Sequence, residues 1–409
     1  MRGVSIGIDV GTTSITTAAV KTDKSGKPRL LAVAKSPSRG VRRGTVNDSV
    51  ELTLALKSSV AEASKILGVR IKSAVVGFSG AGVASSVSRG VVAVSRADGE
   101  ITIEDVKRVM QAAEALRPKN PNREIIHMIP RGYRVDHESG IRDPIGMVGM
   151  RLEVEALIID AQKQALQNLV KAFEAAEIEV EDWLFSPVAA SEVILSPRQK
   201  ELGVMLLDIG GGTSDYAIFE EGQLMDAGSI PLGGEHVSHD IALGFKTPVD
   251  IAEAIKMKYG HVVPDAFTKR EMITLAEFTE DDASEYSGRQ LAEIIQARMA
   301  DIFELAYKAL NRAGAANRLP AGIVLVGGSS LLPGLREFSK KEMRLPVERG
   351  VVQHIELPDS CGTGSDVAVA LGLALWHFEK DSGFSNHYLP PSLSKAASGI
   401  SSWLRIFLP

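Results

Sequence analysis

Residues 206–219 read LLDIGGGTSDYAIF, three consecutive glycines inside what otherwise looks like buried β-structure, with an aspartate on either side. Glycine weakens a strand interior, and unpaired acids rarely sit in one. The stretch Asp208-Ile-Gly-Gly-Gly-Thr-Ser-Asp215 must therefore gain something other than strand stability. A second stretch, IGIDVGTTSITTAAV at residues 6–20, has the same layout. In both, an apolar strand ends in Asp (Asp9, Asp208), a tight Gly-Thr-Thr or Gly-Gly-Gly-Thr-Ser turn follows, and a second strand leaves it. An internal repeat half a chain apart predicts two related lobes.

The turns have a specific physical use. Glycine leaves no Cβ in the way, so consecutive N–H groups at Gly11 or at Gly210, Gly211 and Gly212 can point into one concavity. Thr12, Thr13, Thr213 and Ser214 add hydroxyl donors. Two such hairpins facing each other would clamp an oligophosphate from both sides. Aspartates beside phosphate make sense only as partners of a cation, and Mg²⁺ keeps most of its waters while taking one or two carboxylates. The expectation is that the glycines admit phosphate while Asp9 and Asp208 manage its metal, chiefly through water. Neither a P-loop nor a complete dinucleotide-binding glycine fingerprint occurs; Gly362-Thr-Gly364 lacks the third glycine.

Two further segments carry pattern. IVLVGGSSLLPGL (323–335) is a buried-type strand running into Gly327-Gly328, where a flat base or ribose can lie against backbone, with Ser329 and Ser330 as helix caps. TPVDIAEAIKMKYG (247–260) predicts a helix capped by Thr247 and ended by Gly260, with Glu253 and Lys256 on one face. From spacing alone that pair reads as solvated. His236 and His239 lie at i, i+3 behind Gly233-Gly234 with no nearby Cys or carboxylate cluster, so they read as structural. Glu280-Asp281-Asp282 reads as a solvated loop.

Composition bounds the alternatives. The chain has 409 residues, 44% hydrophobic and 24% charged, with a net charge of −5. This is enough for two to four domains and unlike a basic nucleic-acid surface, so no nucleic-acid partner is expected. The single cysteine, Cys361, excludes a disulfide framework and suits a reducing compartment. MRGVSIGIDVGTTS lacks the pattern of a signal peptide, and no run of ~18 apolar residues occurs, so a cytoplasmic location is expected.

The order of a phosphate hairpin, a second phosphate hairpin, a Glu-x-x-Lys helix and a Gly-Gly turn resembles the actin-like ATPase superfamily over most of the chain. SRGVVAVSRADGEITIED (88–105), REIIHMIPRGYRVD and IRDPIGMVGMRLE within 123–153, and PLGGEHVSHDI (231–241) narrow it to the FtsA family of bacterial division proteins. The resemblance implies an α/β fold: an actin-like two-lobed ATPase core of duplicated ribonuclease H-like lobes, with a small inserted α/β subdomain. The first lobe would take 1–82 and 161–202, with a C-terminal return around 355–380. The insert would take 83–160, the core of the second lobe 203–240 and 320–354, and its outer subdomain 241–319. It further implies ATP and Mg²⁺ as ligands. Asp9, Gly11, Thr12, Thr13, Asp208, Gly210, Gly211, Gly212, Thr213 and Asp215 would serve phosphate and metal. Gly233 and Gly234 would line the nucleotide site, Glu253 and Lys256 would hold ribose or adenine, and Gly327, Gly328 and Ser329 would line the adenosine pocket.

One departure bears on hydrolysis. Relatives in the superfamily place Gln or Glu near the connecting proline, where it can orient water. Here Ser186 precedes Pro187, so at most slow ATPase activity is expected, with Glu192 as a substitute base. By resemblance the partners are further copies of the chain in filaments, the FtsZ C-terminal peptide on the outer subdomain, and later division proteins on the insert. Arg298, on the helix read over 291–310, is a candidate for meeting an acidic peptide.

Residues 381–399 turn polar and rich in Pro, Ser and Gly, the composition of a linker. In 400–409, Ile400, Trp403, Leu404, Phe407 and Leu408 share a helical face opposite Ser401, Ser402 and Arg405, the pattern of an interfacial amphipathic helix. The family arrangement also ends in a membrane-targeting helix, which implies a peripheral protein on the cytoplasmic face at the division site. The competing readings are a soluble PilM-like pilus-assembly adaptor and a small-molecule kinase on the same core.

Overall fold

The strand Val4–Val10 pairs antiparallel with Ser14–Thr22, and that strand with Pro28–Pro37; on its other side Val4–Val10 runs parallel to Ser73–Phe78, which pairs with Glu179–Phe185. The second half of the chain repeats this arrangement. Val204–Ile209 pairs antiparallel with Ser214–Glu220, then Gln223–Ile230, and on its other side runs parallel to Ile323–Val326 and Val347–Arg349. Both five-stranded sheets thus have the order third-second-first-fourth-fifth, the duplication that the paired glycine turns predict. These features come from a computed structural model, which describes residues 3–23, 27–117, 120–268, 270–279, 283–316, 318–358 and 363–381. The sequence-predicted linker beyond Asp381, the helix over 400–409 with Ile400, Trp403, Leu404, Phe407, Leu408 and Arg405, and the Glu280–Asp282 run lie outside the described residues.

Alternation decides which face of the second sheet looks where. Val204, Leu206, Ala217, Phe219, Val324 and Val326 join the core shared with the first lobe, whereas Met205, Leu207, Ile209, Tyr216, Ile218, Ile323 and Leu325 pack under the outer helices. The sheet is buried on both faces, which is why its strands read as continuous apolar runs. Asp208 follows Val204 and Leu206 in period, so it falls on the face toward the first lobe. Gly7, one step before Asp9 on its face, lies against the carbonyl of Ala370 in the helix Ala368–Asp381. That helix crosses Ser186–Ile194 with Gly372 directly against Ala189.

Between the halves of the first lobe, Ala84–Ala93, Arg151–Gln162, Arg123–Val135 and Glu138–Ile141 form a four-stranded antiparallel sheet in that order, backed by the helix Ile103–Leu116 around its own core. This sheet leans on the edge strand of the second lobe, where the Ser85 hydroxyl donates to Asp226, and Arg142 pairs at 3.1 Å with Glu201 of the helix Pro197–Leu202. It joins the first lobe through His127, whose Nε2 accepts from the Phe185 amide at 2.9 Å.

Burial pushes the His127 imidazole down from 6.5 to about 4, against a smaller upward pull from Asp182. The sign follows: the unfolded chain takes up a proton below pH 6.5 that the native chain resists until about 4. This contribution to stability is complete above 6.5 and is lost as pH falls, by roughly 2 kcal/mol between pH 7 and 5. We expect His127→Gln, whose amide oxygen can still accept from Phe185, to lessen the fall in urea stability between pH 7 and 5 by about that amount. An unchanged fall contradicts a buried neutral His127.

Candidate functional site

The two repeated turns meet. Gly11 N–H donates to the Ser14 carbonyl and Gly210 N–H to Thr213, both at 3.0 Å, so the turns share one hydrogen-bond closure. A Cβ built on Gly211 would lie 2.5 Å from Thr13 Cγ2, and one on Gly212 would lie 2.5 Å from Thr12 Oγ1. Side chains on both glycines would collide with the opposite lobe, which is the local reason that the sequence has none there.

The helix Gly234–Phe245 orients the second turn. Its first amides, Gly234 and Glu235, donate to the carbonyls of Gly210 and Gly211 at 2.9 and 2.8 Å. All peptide bonds described are trans, so each carbonyl held by the helix turns the next N–H away from it. The Gly211 and Gly212 amides therefore point away from the helix as consecutive donors, a concavity suited to an anion. Gly233 packs on the same carbonyls. His236 Nδ1 accepts from the Gly233 amide at 3.1 Å and His239 Nδ1 lies 2.6 Å from the Glu235 carbonyl, both structural contacts.

Three carboxylates lie below the turns. Asp9 pairs across the first sheet with Thr16, and Asp208 across the second with Asp215, at matching positions of the repeat. Asp9 and Asp208 can be touched from the cleft yet are surrounded by protein. Burial, then the Asp215 charge, pushes Asp9 up to about 7 despite Lys35. Burial, Asp215 and Asp9 push Asp208 well above the carboxylate range, and burial brings Asp215 to about 6. Thr213 donates to Asp215 Oδ2 at 3.1 Å. Ser229 and the Gly80 amide temper the rise without hydrogen-bond geometry, and Oδ1 has no hydrogen-bond partner among the described residues. Mutual repulsion and an orphaned oxygen are what a cation would relieve. Among the described residues no group of three or more His, Cys, Asp or Glu has direct metal-ligand geometry.

The Glu253–Lys256 pair is not the solvated pair that its spacing suggests. Lys256 is 8% exposed against 42% for Glu253, and the two meet at 2.6 Å. Lys256 also donates to the Gly234 carbonyl at 3.0 Å and the Ser238 hydroxyl at 2.9 Å, and Ser238 in turn donates to Glu253. This network ties the helix Val249–Tyr259 to Gly234. Pro248 occupies its cap position, and Thr247 lies one residue outside. Gly327, at φ +84°, lies against Asp208 Oδ1, and Ser329 donates to the Gly210 carbonyl at 3.3 Å. Residues Gly328–Leu331 form one 3-10 turn, and the helix the serines were expected to cap starts later, at Leu335.

Two candidates lie elsewhere. Glu192 reaches Lys200 at 2.9 Å, and Lys200 lies over Phe219, near the end of the strand remote from the turn. A base there does not meet the cleft. Arg298 is held by both oxygens of Asp240, at 2.7 and 3.0 Å, and by Asp301 at 3.0 Å, so its charge is already matched within the chain. The Ser186 Oγ, buried and without a hydrogen-bond partner among the described residues, and Asp9 Oδ1 both flank Gly77. Sequence reading missed the turn Arg43-Gly44, which packs on Gly212 and Gly80; an arginine before the glycine is not a residue that marks such a turn.

Comparison with known proteins agrees with this architecture. The family model described as cell division protein FtsA matches residues 205–372, and that described as the SHS2 domain inserted in FtsA matches residues 80–160. Cell division protein FtsA of Pseudomonas aeruginosa is 32% identical over 92% of this chain and 90% of its own length. That of Bacillus subtilis is 33% identical over 87% and 80%, and that of Escherichia coli K12 28% over 99% and 98%. Among solved structures, a PilM–PilN type IV pilus biogenesis complex superposes with a TM-score of 0.67 at 18% identity, covering 91% of this chain and 98% of the other. MreB5 of Spiroplasma citri bound to ADP superposes with 0.54 at 13%, covering 94% and 98%. These last two likenesses are of fold, the actin-like two-lobed one.

Proposed function

The chain belongs to the FtsA family of cell division proteins, and from that premise we propose that it binds ATP·Mg²⁺ between its lobes, assembles into filaments, and ties the division ring to the membrane. The observation that carries the reading is the meeting of two like-built glycine turns, one from each lobe, above three crowded carboxylates. In this reading the Gly211 and Gly212 amides, with Thr12 and Thr13 opposite, receive the phosphates. Asp9, Asp208 and Asp215 would hold a hydrated Mg²⁺, chiefly through water, and its charge would offset their mutual repulsion. The adenosine lies toward Gly327–Ser329, with the buried Lys256 network fixing that wall. Ser186 at the cleft floor is too short and too weak a base to activate water efficiently, so turnover is slow.

The insert faces neighbouring subunits or later division proteins, and the outer subdomain over 241–319 takes the FtsZ C-terminal peptide. The tail over 400–409 supplies the membrane contact; among the described residues no helix is long and apolar enough to cross a membrane.

Calorimetric titration with ATP, in Mg²⁺ and in EDTA, tests the nucleotide part. Asp208→Ala is expected to weaken binding by about tenfold or more in Mg²⁺ and to match the parent chain in EDTA, since losing a group that holds a metal's water shell typically costs 10–100-fold. An equal loss in both buffers would remove Asp208 from any metal role.

A further inference from the structure

We propose that Arg43 is a phosphate-recognising residue that the first lobe adds to this cleft, contacting the terminal phosphate of a nucleoside triphosphate. The proposal rests on the nucleotide reading above.

The short strands Val41–Arg42 and Thr45–Val46 pair with Arg42 opposite Thr45, leaving Arg43 and Gly44 as a two-residue loop. Both are left-handed, with φ of 52° and 70°. A hairpin turn with two such residues prefers Asn, Asp or Gly at the first position. Arginine is not a residue that this turn favours, and strained backbone is common at functional sites.

The turn is wedged into the site. A Cβ on Gly212 would meet Arg43 Cα at 2.9 Å and its N at 3.0 Å, and Gly44 packs on the Cα of Gly80. Ser329 reaches Gly210 at one end of the phosphate turn, while Arg43 packs on Gly212 at the other. Arg43 therefore stands at the Gly212 end of the turn, opposite the end that Ser329 reaches. Its side chain is exposed and makes no hydrogen bond or ion pair among the described residues. Its charge is felt across the cleft at His236, as that of Arg42 is at Glu235, both in the first turn of the helix that orients Gly211. An unpaired arginine whose backbone packs on Gly212, one end of the row of amide donors, has the chemistry to meet a triphosphate's outer end.

The test is equilibrium binding of ATP·Mg²⁺ and of ADP·Mg²⁺ to the full chain and to Arg43→Asn. Asn suits the turn, so thermal stability without nucleotide should be unchanged or higher. A charge-assisted contact to the terminal phosphate predicts ATP affinity about tenfold or more weaker, ADP affinity changed by less than about threefold, and partial recovery in Arg43→Lys. Equal weakening of both nucleotides, or weakening of neither, overturns the proposal while leaving the cleft reading in place. A parent chain that binds neither nucleotide overturns the cleft reading itself and this inference with it.

Discussion

Gly211→Val is expected to lower the affinity for ATP·Mg²⁺ by at least ~100-fold without unfolding the chain. The first added carbon would sit 2.5 Å from Thr13 Cγ2, and valine adds two more methyls in the same direction. Either Thr13 gives way or the two turns part, and in both cases the amides of Gly211 and Gly212 lose close approach to a phosphate. Two or more charge-assisted hydrogen bonds at about 1.5–3 kcal/mol each account for the size of the loss. Gly211 is not in the left-handed region, so the substitution strains little of the backbone itself. Circular dichroism and the thermal midpoint should therefore stay near those of the parent chain. Full retention of ATP affinity would remove this turn from phosphate binding.

How far the sequence foretold this arrangement depends on the range of the contact involved. The duplication was legible because each hairpin is local: strand, aspartate, glycine turn and returning strand lie within Val4–Thr22 in one lobe and Val204–Glu220 in the other, and both folded as read. What Gly233 and Gly234 do was not legible. Their use, to hold the Gly210 and Gly211 carbonyls so that the next amides turn outward, depends on a contact between segments some twenty residues apart. Spacing placed Glu253 and Lys256 on one face but could not say that Ser238 and the Gly234 carbonyl bury the lysine there. For the same reason Glu192 and Arg298 looked available. A helix face is periodic in sequence, but the partners that claim it, Lys200 and Asp240, come from other elements. Arg43 was missed for a different cause: a two-residue turn leaves only its dihedral angles as a signal, and an arginine there hides them.

The second large effect concerns the tail. Each large apolar side chain of 400–409 gains roughly 1.5–3 kcal/mol on full burial in lipid. Helices under ~12 residues are marginal in water, so ordering the segment offsets much of that gain. Arg405 adds about 1 kcal/mol of attraction to anionic lipid. One tail should therefore bind weakly and reversibly, whereas tails linked in a filament should bind some 10²–10⁴-fold more tightly by effective concentration alone. Nucleotide in the cleft and attachment to the membrane would then be coupled through assembly, without a direct path between the two sites.

The measurement that tests this most directly is co-sedimentation with anionic vesicles, with and without ATP·Mg²⁺, comparing the full chain with one ending at Ser398. The account predicts that only the full chain pellets with vesicles and that ATP·Mg²⁺ strengthens its binding steeply. Equal pelleting of the two chains, or full binding by monomers locked out of assembly, would contradict it.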